Sequence, residues 1–267
     1  MSLLARFSAI DSEDKAHAIE SLVTSSTPDF DFFFMMTMAV LMTTLGLLAD
    51  SETVVIGSML IAPLLFPLLG ISLGLSMADY RLIARSGVTL VKAGVLAIAA
   101  AAIATLLFSF AYTADGAGAE NAVVLARTHP SLLYLAVGII AGLAVAYAQA
   151  RPRLSAALPG VAISVALIPP LAVVGVGLAH LDLAVAFGAL VMFLINVLGI
   201  VAASMIVFSL MNVREEQRAA QKAIVREDRR LEKEEAKVAA ADVERALASV
   251  TEAPVLPADA PHGESAA

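Results

Sequence analysis

Along the chain, long apolar runs alternate with short polar gaps. Six runs stand out, at roughly residues 32–49, 53–78, 87–111, 131–149, 157–179 and 183–210. A bilayer-crossing helix needs ~20 predominantly apolar residues, so the pattern predicts an all-α, polytopic helical membrane protein. Residues 1–28 read as a cytoplasmic lead, with a turn or two of amphipathic helix around "EDKAHAIESLV", capped by Asp11 and ended by Pro28. Residues 29–211 form the transmembrane domain, 212–250 a charged cytoplasmic helix, and 251–267 a tail with the composition of disorder. Ile224, Leu231 and Val238 recur seven apart in the charged helix, but Glu227 and Glu234 hold the companion seam positions, which favours a solvated helix over a coiled coil.

The second and fifth runs each contain a pair of prolines. "LIAPL" at 60–64 matches "LIPPL" at 167–171, and Gly70 follows Pro63 by seven residues as Gly177 follows Pro170. Each copy lies in the middle of a group of three spans, so two repeats are expected, about 32–111 and 131–210. An odd number of spans per repeat inverts the second copy. In many secondary transporters such inverted repeats hold the binding site between interrupted helices.

The prolines carry the candidate chemistry. Having no amide hydrogen, Pro63 deprives the carbonyl of Met59 of its helical donor, and Pro67 that of Pro63. Pro169 and Pro170 act likewise on Val165 and Ala166. An open carbonyl in hydrocarbon must meet a neighbouring helix, water or an ion. Together with Ser58, Ser164 and the deeply placed Asn196, these positions form a candidate substrate or ion pathway. Gly70 and Gly74 have the spacing that lets helix backbones approach closely, while Gly57, Gly160 and Gly177 are expected at packing or hinge points.

Composition narrows the alternatives. With 60% hydrophobic and 15% charged residues, no soluble domain of ordinary size is left over. The net charge of −7 is spread along the chain, which does not point to a nucleic-acid partner. No cysteine is present, and His17, His129, His180 and His262 form no metal-ligand spacing, so no metal, cofactor or enzymatic activity is expected. Arg6, Lys15, Arg81, Arg85, Arg151 and Arg153 fall on one side of the predicted spans. Asp50, Glu52, Asp115, Glu120, His180 and Asp182 fall on the other, with Arg127 as the exception. The positive-inside rule then puts both termini in the cytoplasm. The N-terminus lacks the features of a signal peptide, so the first span is expected to direct its own insertion.

Three segments, "DFFFMMTMAVLMTTLGLLADSETVVIGSMLIAPLLFPLLG", "LPGVAISVALIPPLAVVGVGLA" and "FLINVLGI", occur in this order within about residues 29–211. They resemble the hallmark segments of the prokaryotic hydrophobic membrane family catalogued as domain of unknown function 389. The resemblance implies a multi-pass protein of the inner membrane and no particular activity. Ser58 stands where that family often has alanine, and Phe66 where glycine is common, narrowing any opening beside Pro67. The expectation is a small transporter or channel for an ion or small solute, with the lipid bilayer and a second copy of the chain as partners. The alternative is a non-transporting scaffold or stress-response component acting through the C-terminal helix.

Overall fold

The structure is a computed structural model that describes residues 12–112, 122–151, 154, 167–211 and 217–251. Its helices are α1 (Ser12–Ser25), α2 (Phe30–Leu48), α3 (Glu52–Met59), α4 (Leu65–Met77), α5 (Tyr80–Tyr112), α6 (Ala122–Leu125), α7 (Leu132–Gln149), α8 (Ile168–Ala179), α9 (Leu183–Leu210) and α10 (Gln217–Thr251). Four of them, α2, α5, α7 and α9, are long and apolar enough to cross a membrane, whereas α4 and α8 are shorter apolar helices. The second apolar run is therefore not one continuous span but α3, an irregular stretch and α4. The third begins earlier than its hydropathy shows, because α5 already takes in Arg81 and Arg85. At 33 residues, α5 is ~50 Å long, well beyond the ~30 Å apolar thickness of a bilayer. The first half of the fifth run, and Asp11, lie outside the described residues.

The chain divides into two compact units, residues 1–227 and 228–267. In the second, Arg230 and Glu234 pair along α10 at 3.5 Å. The first holds one continuous apolar core. In it α1 buries Ile19, Leu22 and Val23, spaced as one helical face, and leaves Glu20 and Thr24 exposed. Ala223 and Ile224 of α10 join the same core, and Arg226 pairs with Glu20.

Contacts fix the direction of each helix. One end of the first unit gathers α1, Leu73, Ala150, Phe208 and Met211, together with Thr27 and Arg85. The other gathers Asp50, Glu52, Val123 and Arg127, with Thr128 against Gly188. Hence α2 and α5 run from the first end to the second, and α7 and α9 run back. A Cβ on Gly142 would lie 2.7 Å from the Ile200 carbonyl oxygen, and Ser204 Oγ donates to the Gly142 carbonyl at 3.0 Å. Backbones of α7 and α9 thus meet almost directly, the packing that small residues permit in membranes. The short helices sit at opposite ends: α4 turns into α5 at the first, and α8 into α9 at the second.

Those turns share one geometry, which also joins α2 to α3. The amide of Ser51 donates to Gly46 O (2.8 Å), that of Asp79 to Gly74 O (2.9 Å) and that of Asp182 to Gly177 O (2.8 Å). The residue before each donor has positive φ: Asp50 (47°), Ala78 (55°) and Leu181 (58°). This is the Schellman type of helix end, in which an amide five residues on closes over the last turn. In two corners the donor then caps the next helix. Asp79 Oδ1 accepts from the amides of Arg81 and Leu82, and Asp182 Oδ1 from those of Ala184 and Val185. The glycine is needed for a separate reason, because a Cβ on Gly177 would lie 2.7 Å from the amide nitrogen of Ala186.

A left-handed non-glycine residue costs ~1–2 kcal/mol, and both Ala78 and Leu181 are exposed. Ala78→Gly and Leu181→Gly are therefore expected to hold or raise the thermal midpoint in detergent. Gly177→Ala, which must force the hairpin apart, is expected to lower stability by about 1–3 kcal/mol. A higher midpoint for Gly177→Ala than for wild type would contradict this account of the corner.

Candidate functional site

Between α3 and α4 the described chain leaves regular helix over residues 60–64. After α3 the chain makes two tight turns, Leu60 N to Gly57 O (3.3 Å) and Ile61 N to Ser58 O (3.2 Å). Among the described residues nothing donates to the carbonyls of Met59, Leu60, Ile61 or Ala62. Pro63 explains the first of these. The expected second open carbonyl is not found: the amide of Phe66 donates to Pro63 O at 3.3 Å, so the chain has tightened to satisfy it. Three residues on, the carbonyl of Phe66 lies 2.9 Å from Ser26 Oγ, a hydroxyl it shares with Leu22 O at 2.6 Å, and this contact ties the α1–α2 corner to the start of α4.

A groove of about 310 Å³ opens beside this break. One wall is Phe32 and Met35 of α2, and the other is Ile61, Pro63 and Phe66. Asp29 and Asp31 line it as well, with hydroxyls from Thr24, Ser25 and Thr27. Asp29 Oδ1 also caps α2 by accepting from the Phe32 amide at 2.9 Å. Behind the groove, Arg85 of α5 donates to Thr27 Oγ1 at 3.0 Å.

Ser58 is not part of that groove lining. Its hydroxyl lies 2.6 Å from Thr43 Oγ1 and also donates to Val55 O, while Thr43 donates to Ala39 O. Two hydroxyl hydrogens thus serve three contacts, and the pair pins α3 to α2 in a fully buried position. Pro67 is the third residue of α4 and Pro170 the third of α8, with Pro169 just before it. At the start of a helix the missing amide hydrogen has no partner to lose, so these three prolines begin helices rather than interrupt them. Aligning the corners pairs Gly74 with Gly177 and hence Pro67 with Pro170, one turn away from the Pro63–Pro170 match of the bare sequence.

Asn196 is buried on α9, where its backbone faces Gly138 of α7. Among the described residues its amide group has no hydrogen-bond partner. Gly70 faces Ser86 and Ser26, Gly74 faces Ile83, and Gly57 faces Met42, so each serves close helix contact. Gly160, Ser164, Val165 and Ala166 lie outside the described residues, and the structure therefore does not bring the two predicted carbonyl pairs together. Sequence reasoning missed Ser26, Asp29, Asp31 and Arg85 as neighbours of the break. Ser26 reaches it from the α1–α2 corner, Asp29 and Asp31 from the start of α2 and Arg85 from α5, and the one available signal was Asp29 as a helix cap.

At the opposite end, Glu52 sits 3.6 Å from Arg127, and Asp50 Oδ1 accepts from the Val123 amide. Burial draws the Arg127 guanidinium below its ordinary pKa, while the Glu52 carboxylate and Tyr134 pull it back up. Arg127 is thus a strut between the 122–128 segment and the first turn of α3.

This framework can be set beside known proteins. The family model described as Domain of unknown function (DUF389) matches residues 59–202, just over half of the chain. The chain belongs to that family. The DUF389 match begins at the last residue of α3, so it takes in the break, both short helices and most of α9. An uncharacterized protein of Methanocaldococcus jannaschii, MJ0678, is 29% identical over 175 residues, covering 66% of this chain and 52% of that protein. The chain thus spans about half the length of this curated relative. No solved structure matches it.

If the Thr43–Ser58 contact holds α3 in place, Ser58→Ala and Thr43→Val should each lower stability. Their double-mutant cycle should show a coupling of about 0.5–1.5 kcal/mol, as for buried hydroxyl pairs between membrane helices. Strict additivity in thermal or denaturant unfolding would remove the contact from the account.

Proposed function

We propose that this protein is a small inner-membrane transporter or channel for an ion or small solute. In this reading six spans form two inverted three-span repeats, α2 to α5 and α7 to α9. The observation that carries it is the α3–α4 break, which leaves the carbonyls of residues 59–62 without donors among the described residues and lines a groove with Ile61 and Pro63. Non-helical backbone at membrane depth is tolerated where it is buried in protein or lines a wet cavity. The inverted reading is supported by the recurrent α4–α5 and α8–α9 corners at opposite ends, and by long partners that run in opposite directions. The end holding Lys15, Arg85 and Arg151 would face the cytoplasm, with both termini on that side.

The test is flux. Purified protein in sealed vesicles should carry at least one solute from a panel of inorganic ions, amines, carboxylates and sugars. Pro63→Ala returns a donor to the Met59 carbonyl and lets α3 run on. It is expected to cut that flux roughly tenfold or more, with little loss of fold. No flux across the panel from folded wild-type protein would refute the proposal. The scaffold reading draws on the separate unit formed by residues 228–267. It predicts that deleting this unit abolishes the cellular phenotype while Pro63→Ala leaves it intact.

A further inference from the structure

We propose that the lipid-facing side of α5 binds an anionic phospholipid, whose headgroup is held by Lys92 and Arg81. All the charges on α5 are basic, Arg81, Arg85 and Lys92, and all precede residue 93. Residues 93–112 follow without a charge, ~30 Å of helix, which matches the apolar thickness of a bilayer. With that stretch in hydrocarbon, Lys92 stands at the edge of the apolar layer and Arg81 lies three turns farther out.

The two cations share one face, because eleven residues bring an α-helix back to within ~20° of its starting direction. Both are exposed. Around Lys92 the exposed surface is apolar, made by Val88, Val91 and Val95. Helical side chains lean toward the N-terminus, so Lys92 carries its ammonium over Val88 and out of the hydrocarbon, toward the level of lipid phosphates.

The chain supplies no counter-charge there. Among the described residues neither Lys92 nor Arg81 forms an ion pair, and α5 contains no acid. Asp79, just before it, gives Oδ1 to the amides of Arg81 and Leu82, and the exposed Asp31 of α2 pairs with neither cation. Arg85, on the same face, is engaged with Thr27 and is left out of the site. A phospholipid fits this surface because its phosphate meets the cations while its chains lie on the valines; a soluble anion would gain only the first contact. Ethanolamine and choline headgroups bring their own cation beside the phosphate, whereas a glycerol headgroup leaves the negative charge open to Lys92. At the opposite end Asp50, Glu52 and Asp182 outnumber Arg127, which is paired with Glu52, so the preference belongs to one leaflet. This inference rests on the membrane placement of α5 and not on transport.

The chain has no tryptophan, so Val95→Trp introduces a single fluorophore about one turn deeper than Lys92. Ile140→Trp, on the exposed side of the uncharged helix α7, is the control. Each full-length variant is reconstituted in phosphatidylcholine vesicles in which about one lipid in ten, with a glycerol, ethanolamine or choline headgroup, carries brominated chains that quench tryptophan on contact. Brominated phosphatidylglycerol is expected to quench Val95→Trp about fivefold or more beyond its share of the lipid, and the other two only in proportion. All three should quench Ile140→Trp in proportion. Adding Lys92→Gln/Arg81→Gln should return phosphatidylglycerol to proportion at Val95→Trp, with Lys92→Gln alone removing most of the excess. An excess that survives the double substitution, appears equally at Ile140→Trp, or is matched by phosphatidylethanolamine would overturn the proposal. So would a Val95→Trp that no brominated lipid reaches while Ile140→Trp is quenched, an outcome that would put a second copy of the chain on this face.

Discussion

Everything in the first unit hangs on how the chain turns between consecutive antiparallel helices. At the end of a helix four carbonyls lack an amide partner, and in hydrocarbon each would be costly. The corner that recurs at Gly46, Gly74 and Gly177 closes the end with an amide from five residues on and starts the next helix on the same residue. It takes up almost no length and seats the second helix against the first through a missing Cβ. That economy lets α4 and α8 be short, since each needs only to lean on the long helix that follows it.

The exception is the α3–α4 break, where satisfaction of the backbone is incomplete. Its neighbours come from outside the hydrophobic runs: Ser26 from the α1–α2 corner, two aspartates at the start of α2, and Arg85 from the part of α5 longer than a bilayer needs. Polar groups are thus brought to the break by elements whose sequences look like lead and loop. The apolar helices supply the frame, and the segments between them supply the chemistry.

The long helices were legible because continuous hydropathy needs no partner to be recognised; α9 matches its predicted run residue for residue. Hydropathy did not reveal the break, since residues 60–64 are as apolar as their neighbours and only the prolines mark them. Nor did it reveal where α5 starts, because Arg81 and Arg85 look like a gap while an aspartate cap makes them helical. Matching prolines paired Pro63 with Pro170, one turn away from the Pro67–Pro170 pairing that the corners give. The better guide was the glycine–aspartate spacing of the corners, Gly74 to Asp79 and Gly177 to Asp182, which reports backbone geometry directly. Side-chain neighbours such as Thr43 and Ser58 could not be paired without the fold, because both read as hydroxyls in apolar helices.

The corners also decide where the molecule can bend. A helix joined to the next by a closed backbone bond and a glycine contact with no spare room behaves as one rigid arm with its partner, so α4 with α5 and α8 with α9 have little freedom to hinge. Local opening favours stretches with few internal hydrogen bonds, and in the first half that stretch is residues 60–64. Motion in this protein would therefore be a flexing of one arm about the middle of a broken helix, with the hairpins carried along whole.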